Sequence, residues 1–425
     1  MQFRAVKGMN DILPGEVEAW QRLERAFIHS AELHGYSEIR TPLVEPTGLF
    51  VRSIGDATDV VQKEMYTFER SDESLTLRPE GTASCVRAYV QHAVHAREPI
   101  TRWYYLGPMY RAERPQRGRY RQFYQAGCEI YGDPGPACDA ELIAMLVDLF
   151  SSLGIGNLRV LVNSLGGPES RERYRQMLLE YLRPRSAELT ETSQQRLEKN
   201  PLRVLDSKAP QDKLVVEGAP PTTAALSAED RAHWEELRAQ LEALGVPYTV
   251  DPGLVRGLDY YSRTLFEIQS DAGNLGAQNA IAGGGRYDGL VKTLGGPDAP
   301  AIGFAMGLER ILLAMGEAAV PARRFCYIAP LGAAAVREGL KLASELRRLG
   351  VVVEFDGRDN TLKSKLRRAN TMGAAVCAVF GEAELSRGEV QLKDFAGHAQ
   401  QDVPRAEAAT KVCELLSSSS AAGQK

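Results

Sequence analysis

What the chain lacks narrows its class first. Its six cysteines (Cys85, Cys128, Cys138, Cys326, Cys377 and Cys413) form no C-x-x-C pair, and His92 and His95 have no thiol beside them. That spacing argues against a disulfide scaffold or a thiolate zinc site and suits a reducing cytosol. No run approaches the ~18 consecutive apolar residues of a membrane span. The N-terminus, MQFRAVKGMNDILPGE, is too polar for a secretory signal. Charge of one sign is missing too: 51 Lys and Arg against 55 Asp and Glu leave −4. Nucleic acid would therefore have to meet a local basic patch rather than a bulk field. Neither a G-x-x-x-x-G-K-[ST] loop nor a dinucleotide fingerprint occurs, so any nucleotide sits on another scaffold. A cytoplasmic protein that neither enters membranes nor carries a metal site of its own is expected.

What is present is ordinary globular composition, 44% hydrophobic and 25% charged, in 425 residues, enough for two or three domains. After Pro14-Gly15, apolar residues recur at Val17, Trp20, Leu23, Phe27 and Leu33, a helical pattern stopped by Gly35. YSEIRTP (36–42) then reads as a strand ended by proline, and a helix is expected to start near Thr82. Two aromatic strands, TRWYYLGPMYR and RYRQFYQAGCEIYG, flank the arginine-rich AERPQRG and predict a long antiparallel hairpin over 101–131. From about 168 to 246 the text is rich in Glu, Arg, Gln and Leu without strand alternation, which predicts a helical insertion. Strand text resumes at 247–270 and 278–283, and 301–315 reads as a strand turning into a helix. Beyond Pro321, the apolar runs FCYIAP, VVVEFD and AVCAVFG alternate with basic helical stretches, as in a small parallel or mixed α/β domain. The boundary is expected at 322/323. Residues 323–425 hold 16 Lys and Arg against 12 Asp and Glu, a local +4, and end in a low-complexity tail expected to be disordered from about 417.

Four segments carry chemistry. On the hairpin, side chains two apart share a strand face, so Arg119, Arg121, Phe123, Gln125, Gly127 and Glu129 should point one way. Five arginines between 111 and 121 exceed the local carboxylates. Guanidinium forks suit phosphate oxygens, although a solvated face laced with salt bridges explains them as well. In LRPEGTA (77–83), Glu80 and Thr82 sit at a strand-to-helix junction, either as a helix N-terminus or as a corner for a substrate ammonium. LVRGLDYY (254–261) places Arg256 beside two tyrosines, and AGGGRYDGL (282–290) holds a glycine run marking a turn or a close backbone approach. In GFAMGLER (303–310), small residues alternate with large ones so that something flat can approach, and Arg310 stands where a helix dipole disfavours it.

Together these segments resemble the class II aminoacyl-tRNA synthetases, and specifically the histidyl-tRNA synthetase family. The helix and proline-ended strand around Pro42 are similar to motif 1, the family's dimer-forming element. YRAERPQRGRYRQFYQAGCEI resembles motif 2 and GFAMGLER motif 3, while LVRGLDYY and AGGGRYDGL narrow the likeness to histidine. The resemblance covers nearly the whole chain. Ala305 departs from the usual middle glycine of motif 3, a methyl that still permits close approach. Class I signatures are absent, LKSKL (362–366) being only superficially similar.

The resemblance implies an α+β fold: an antiparallel-sheet catalytic core over 1–322 with a helical insertion, then an α/β anticodon-binding domain over 323–425. It implies a histidine–tRNA ligase that makes histidyl-adenylate from L-histidine and ATP, Mg2+ accompanying ATP, and then loads tRNA(His), as a homodimer. It assigns Arg111 and Arg256 to catalysis at the α-phosphate. Arg119 and Arg310 go to the β- and γ-phosphates, Phe123 to the adenine, and Glu113 is counted among the ATP-binding residues. It gives Glu80, Gly81, Thr82 and Gln125 to the amino and carboxylate groups of histidine, and Glu129 and Tyr261 to the imidazole. Tyr260 and Tyr287 line that pocket, and Gln116 and Arg117 meet the tRNA acceptor end. Three alternatives stand beside this. One is a catalytically inactive synthetase-like regulatory subunit of histidine biosynthesis, which usually lacks the C-terminal domain and the ATP-binding arginines. The others are another class II synthetase and a plain RNA-binding module.

Overall fold

The structure is a computed structural model that describes residues 3–56, 58–272, 275, 279–316, 324–395 and 397–418. The chain separates into two compact units, Met1–Ala318 and Ala319–Lys425; the expected boundary at 322/323 lies outside the described residues. In the first unit the strands run β1 (Ser37–Glu38), β2 (Val44–Pro46), β3 (Tyr66–Arg70), β4 (Glu73–Leu77), β5 (Thr101–Tyr110) and β6 (Gln122–Tyr131). They continue with β7 (Leu158–Ser164), β8 (Tyr248–Val250), β9 (Ser262–Ser270), β10 (Ala280–Arg286) and β11 (Ala301–Gly307).

Eight of these form one sheet in the order β1-β5-β6-β11-β10-β9-β7-β8. It is antiparallel except where β1 joins β5 and β7 joins β8. The remaining three make a small antiparallel sheet, β2-β4-β3. The α+β architecture is as expected. The hairpin also forms, although its second strand starts at Gln122 rather than Arg119, and only Ser37–Glu38 of the 36–42 segment pairs as a strand.

One face of the large sheet is covered by helices. Leu23, Phe27 and Ala31 of helix Val17–Leu33 recur every fourth residue and are buried there. With them pack helix Pro136–Ser152 and, from the strands, Ala126, Cys128, Ile130, Phe266, Ile268, Ile302, Phe304 and Met306. Leu33, expected on the same stripe, is exposed.

The helical stretch at 168–246 divides in two. Helices Pro168–Leu182, Glu191–Lys199 and Pro210–Val216 share a core of their own around Tyr174, Leu178, Leu182 and Val204. Helix Ala228–Ala243 instead sends Leu237 and Leu241 into the main core.

The second unit is a five-stranded mixed sheet in the order β13 (Val353–Phe355), β12 (Cys326–Pro330), β14 (Val376–Phe380), β15 (Glu389–Asp394), β16 (Ala399–Pro404). β12, β13 and β14 are the three apolar runs and are mutually parallel. β15 and β16 are antiparallel additions that bury only Val390, Leu392 and Val403, so they leave no apolar run to read. LKSKL opens helix Leu362–Thr371, where buried Lys365 donates to the carbonyls of Pro330 and Asp356; its role is structural. Ser417 and Ser418 end helix Ala408–Ser418 rather than begin a disordered tail, and residues 419–425 lie outside the described ones.

Candidate active site

Because strand side chains alternate, the face that is not under the helices is settled by the same residues that build the core. On β11, Ile302, Phe304 and Met306 enter the core while Gly303, Ala305 and Gly307 line a cleft of about 560 Å³. On β6 the cleft receives Phe123 and Gln125, and on β9 Glu267 and Gln269. The small residues of β11 leave a flat floor, as their alternation suggested.

Four arginines converge on this cleft: Arg111, Arg119, Arg256 and Arg310. Arg111 Nε donates to the Pro79 carbonyl (2.9 Å), and its guanidinium lies 5.3 Å from the Phe123 ring centre. Arg119 pairs with Glu113 at 3.2 Å. Arg310 donates to the Ala280 carbonyl at 2.9 Å. Burial, and then the neighbouring Arg119, push its guanidinium below the usual range. Like charges crowded at one end of a cleft favour an anion there. Arg256 Nη1 donates to Glu267 Oε2 at 2.8 Å. Burial opposes its charge, but Tyr261 and Glu267 outweigh this and hold it in the charged form.

The other end is built on the start of helix Thr82–Gln91. Glu80 accepts from the backbone N–H of Thr82 (2.7 Å) and of Ala83 (2.8 Å), so the carboxylate closes that helix N-terminus while facing the cleft. The structural and the ligand-facing interpretations of Glu80 thus coincide. Its burial raises its pKa despite those bonds and Arg111.

Glu129 is fully buried behind Thr82 and Tyr287 rather than lining the cleft. Thr82 Oγ1 donates to Oε1 at 2.7 Å and the Tyr287 hydroxyl donates to Oε2. Burial pushes the carboxyl up to about 8 even though both bonds favour its ionised form. Gly303 stands opposite Glu129 in the ladder, and a Cβ there would overlap the carboxylate. Four residues earlier on β6, the Gln125 side-chain oxygen is buried with no protein partner.

Tyr260 and Tyr261 line the cleft beside Tyr287, their ring centres 4.7 Å apart. Gly81 is buried, and any side chain there would collide with the Tyr105 ring.

Three expected positions differ: Gly81 and Glu129 do not line the cleft, and Arg121 departs from its expected face. Arg121 leaves the face of Phe123 because the strand has not yet begun there. It donates instead to the carbonyls of Glu113 (3.2 Å) and Lys7 (3.4 Å), while its N–H donates to that of Gly8 (2.7 Å). Gln116 and Arg117, assigned to the hairpin tip rather than to the cleft, are exposed there at a tight turn in which Gln116 and Arg119 exchange backbone hydrogen bonds.

Several lining residues were not anticipated: Glu64, Asp206, Lys208, Glu267, Asn279 and Glu309. Glu267 had a readable signal, a charge alternating with Phe266 and Ile268 on a strand. Asp206 and Lys208 had none, since the helical insertion brings them from some fifty residues away in sequence from Arg256. Glu309 binds the Tyr124 N–H with both oxygens, and burial pushes it up to about 7.

The family model described as Histidyl-tRNA synthetase matches residues 8–311, and that described as Anticodon binding domain matches 326–415. A curated relative from Sorangium cellulosum (strain So ce56), "Histidine--tRNA ligase", is 57% identical over 425 residues, covering 100% of this chain and 99% of its own. One of the same name from Thermosynechococcus vestitus is 48% identical over 410 residues, 96% of this chain and 95% of the relative. Among solved structures, that of apo S. aureus histidyl-tRNA synthetase has a TM-score of 0.82 at 34% identity, covering 97% of this chain and 100% of that one.

Proposed function

The chain belongs to the histidyl-tRNA synthetase family, and from that premise we propose how its cleft divides the work. It is an ATP-dependent histidine–tRNA ligase: histidine and ATP give histidyl-adenylate and pyrophosphate, and the histidyl group then passes to the terminal adenosine of tRNA. Relatives this similar over the full length are ligases, and all four cleft arginines are in place, so an inactive regulatory subunit is the weaker interpretation.

The observation that carries the assignment is a single cleft that gathers four arginines together with the buried Glu80 carboxylate and the unpartnered side-chain oxygen of Gln125. ATP occupies the arginine end. Phe123, already under the Arg111 guanidinium, stacks on adenine, while Arg111 and Arg256 hold the α-phosphate. Arg119 and Arg310 hold the outer phosphates. Mg2+ enters with ATP, and Glu113 and Glu309 are the carboxylates that line this end. Histidine lies toward Glu80. Its ammonium is held by Glu80, next to Gly81, whose missing side chain lets the helix start pack on the Tyr105 ring; Thr82 and Gln125 hold its polar backbone groups. Tyr261 meets the imidazole between Tyr260 and Tyr287, and the enclosed Glu129 acts on it through the Thr82 and Tyr287 hydroxyls that it accepts from.

The histidine carboxylate attacks the α-phosphorus, the bond to the β-phosphate oxygen breaks, and pyrophosphate leaves. No residue need form a covalent bond; positioning and charge stabilisation suffice. The ribose hydroxyl of the tRNA terminus then attacks the activated carbonyl and AMP departs. Gln116 and Arg117, exposed at the hairpin tip, meet the acceptor end. The second unit, a member of the anticodon-binding family, binds tRNA(His). A homodimer through the motif 1 region is supported by exposed Leu43, Val44, Val51 and Phe68 on or near the small sheet. No helix among the described residues is long and apolar enough to cross a membrane, consistent with a cytoplasmic enzyme. Pyrophosphate exchange with each amino acid in turn tests the assignment: histidine alone should support it, and exchange with another amino acid would overturn it.

A further inference from the structure

Arg256, Tyr260 and Tyr261 sit in a segment, 254–261, that forms neither helix nor strand. No ladder of its own fixes it, and a cavity of about 150 Å³ lies against Arg256, Gly257 and Asp259. Asn163 of β7 donates to the Leu254 carbonyl (3.0 Å) and Glu267 of β9 accepts from Arg256, and the further ties that hold it around Gly257 and Asp259 come largely from the helical insertion. Arg171 Nη1 donates to the carbonyls of Asp259 (2.9 Å) and Tyr261 (3.2 Å). Asn200 Nδ2 donates to Asp259 Oδ1 at 3.0 Å. Arg203 Nη2 donates to the Gly257 carbonyl (2.9 Å) and to the same Oδ1 (3.3 Å). On the opposite flank the Asp259 N–H donates to the Ile54 carbonyl (3.2 Å), and Gly55 lets the carboxylate close in, since a Cβ there would fall 2.6 Å from Oδ2.

Asp259 is thus the node of a clamp three residues from Arg256, and it pairs with Arg203, not with Arg256. We infer that the insertion belongs to the histidine-activation machinery: Asn200 and Arg203, acting through Asp259, are positioning residues that hold Arg256 against the α-phosphate. This rests on the catalytic role proposed for Arg256. The physical lever is that a misplacement of ~1 Å remote from the chemistry costs on the order of 10²-fold in rate.

The test is single-turnover adenylate formation by the full chain at saturating histidine and ATP. Arg203→Ala and Asp259→Ala should slow it by roughly 10- to 100-fold, with the KM for ATP and the melting temperature little changed. Arg203→Lys, which keeps a donor, should recover part of the rate. Transfer from preformed adenylate to tRNA should be nearly normal. In an Arg256→Ala background neither substitution should slow the step much further, because an absent guanidinium cannot be misplaced. A purely structural clamp would lower the melting temperature and multiply with Arg256→Ala. Either that pattern, or an Arg203→Ala rate near wild type beside a slow Arg256→Ala, overturns the inference alone. A normal rate in Arg256→Ala would remove the catalytic role of Arg256, and the inference with it. Should Asp259→Ala not fold, Asn200→Ala and Arg203→Lys carry the same comparison.

Discussion

Glu129 shows what burial does to one carboxyl. With its pKa pushed up to about 8, above an unfolded value of about 4.3, the native chain holds a proton that the unfolded chain has lost across that interval. Its stabilising contribution is complete below the unfolded value and disappears as pH rises through about 8. Glu129→Gln should therefore flatten the fall in melting temperature of the ligand-free protein between pH 6 and 9; an unchanged slope would mean that Glu129 does not titrate there. The same variant should lose histidine activation far more than ATP binding, by about 10⁴-fold if the site rejects an unmatched partner as polar sites do. Arg256 has a different residue-scale signature. Its partner is Glu267, eleven residues on, which leaves the guanidinium facing the cleft. A preorganised donor to developing charge supplies roughly 10²–10³-fold. Arg256→Ala should slow single-turnover adenylate formation by that factor and Arg256→Lys by less; a rate within about threefold of wild type, under 1 kcal/mol of barrier, would end the catalytic assignment.

At the scale of elements, the glycines of β10 decide between the turn and the close backbone approach that their run allowed. Gly283, Gly284 and Gly285 lie inside a strand, not at a turn. A Cβ on Gly283 would meet the Arg256 guanidinium at 2.5 Å, and one on Gly284 would strike the backbone of β11. The run is the close backbone approach that the alternative interpretation allowed. Gly283→Ala should consequently behave as a weaker Arg256 variant, folded but slowed in adenylate formation, with the loss vanishing in an Arg256→Ala background. Additive losses in that background would place the cause in strand packing instead. Hairpin residues show the converse case. Arg121 has the right parity to join Phe123, yet parity governs only paired strand, and Arg121 lies one residue before β6 begins.

For the whole molecule, chemistry and tRNA affinity should separate along the two units. A chain ending at Gly316 keeps every cleft residue named above and should retain most histidine-dependent pyrophosphate exchange. Its KM for tRNA should rise. The salt dependence of tRNA binding should flatten as well, because each phosphate no longer neutralised takes roughly 0.7–0.9 off the log–log slope. Loss of exchange in a truncated protein with a normal melting transition would contradict this division. The excess of +4 in residues 323–425 of a chain of net −4 is the charge on which the expectation rests.

Strand alternation, the large–small pattern of β11, the arginine-rich hairpin and the helix start at Thr82 were all legible from residue order alone, because each depends on neighbours a few positions apart. So were Glu80, Thr82, Phe123, Gln125 and the arginines of the hairpin, since they fall within those local patterns. The partners were not. That Arg256 meets Glu267 rather than Asp259, that Asp259 is held by Asn200 and Arg203, and that Glu129 is sealed behind Tyr287 are contacts between segments 11 to 158 residues apart. Local periodicity says which way a side chain points; only the folded chain decides what stands opposite it, and burial and pairing set its charge and its reach.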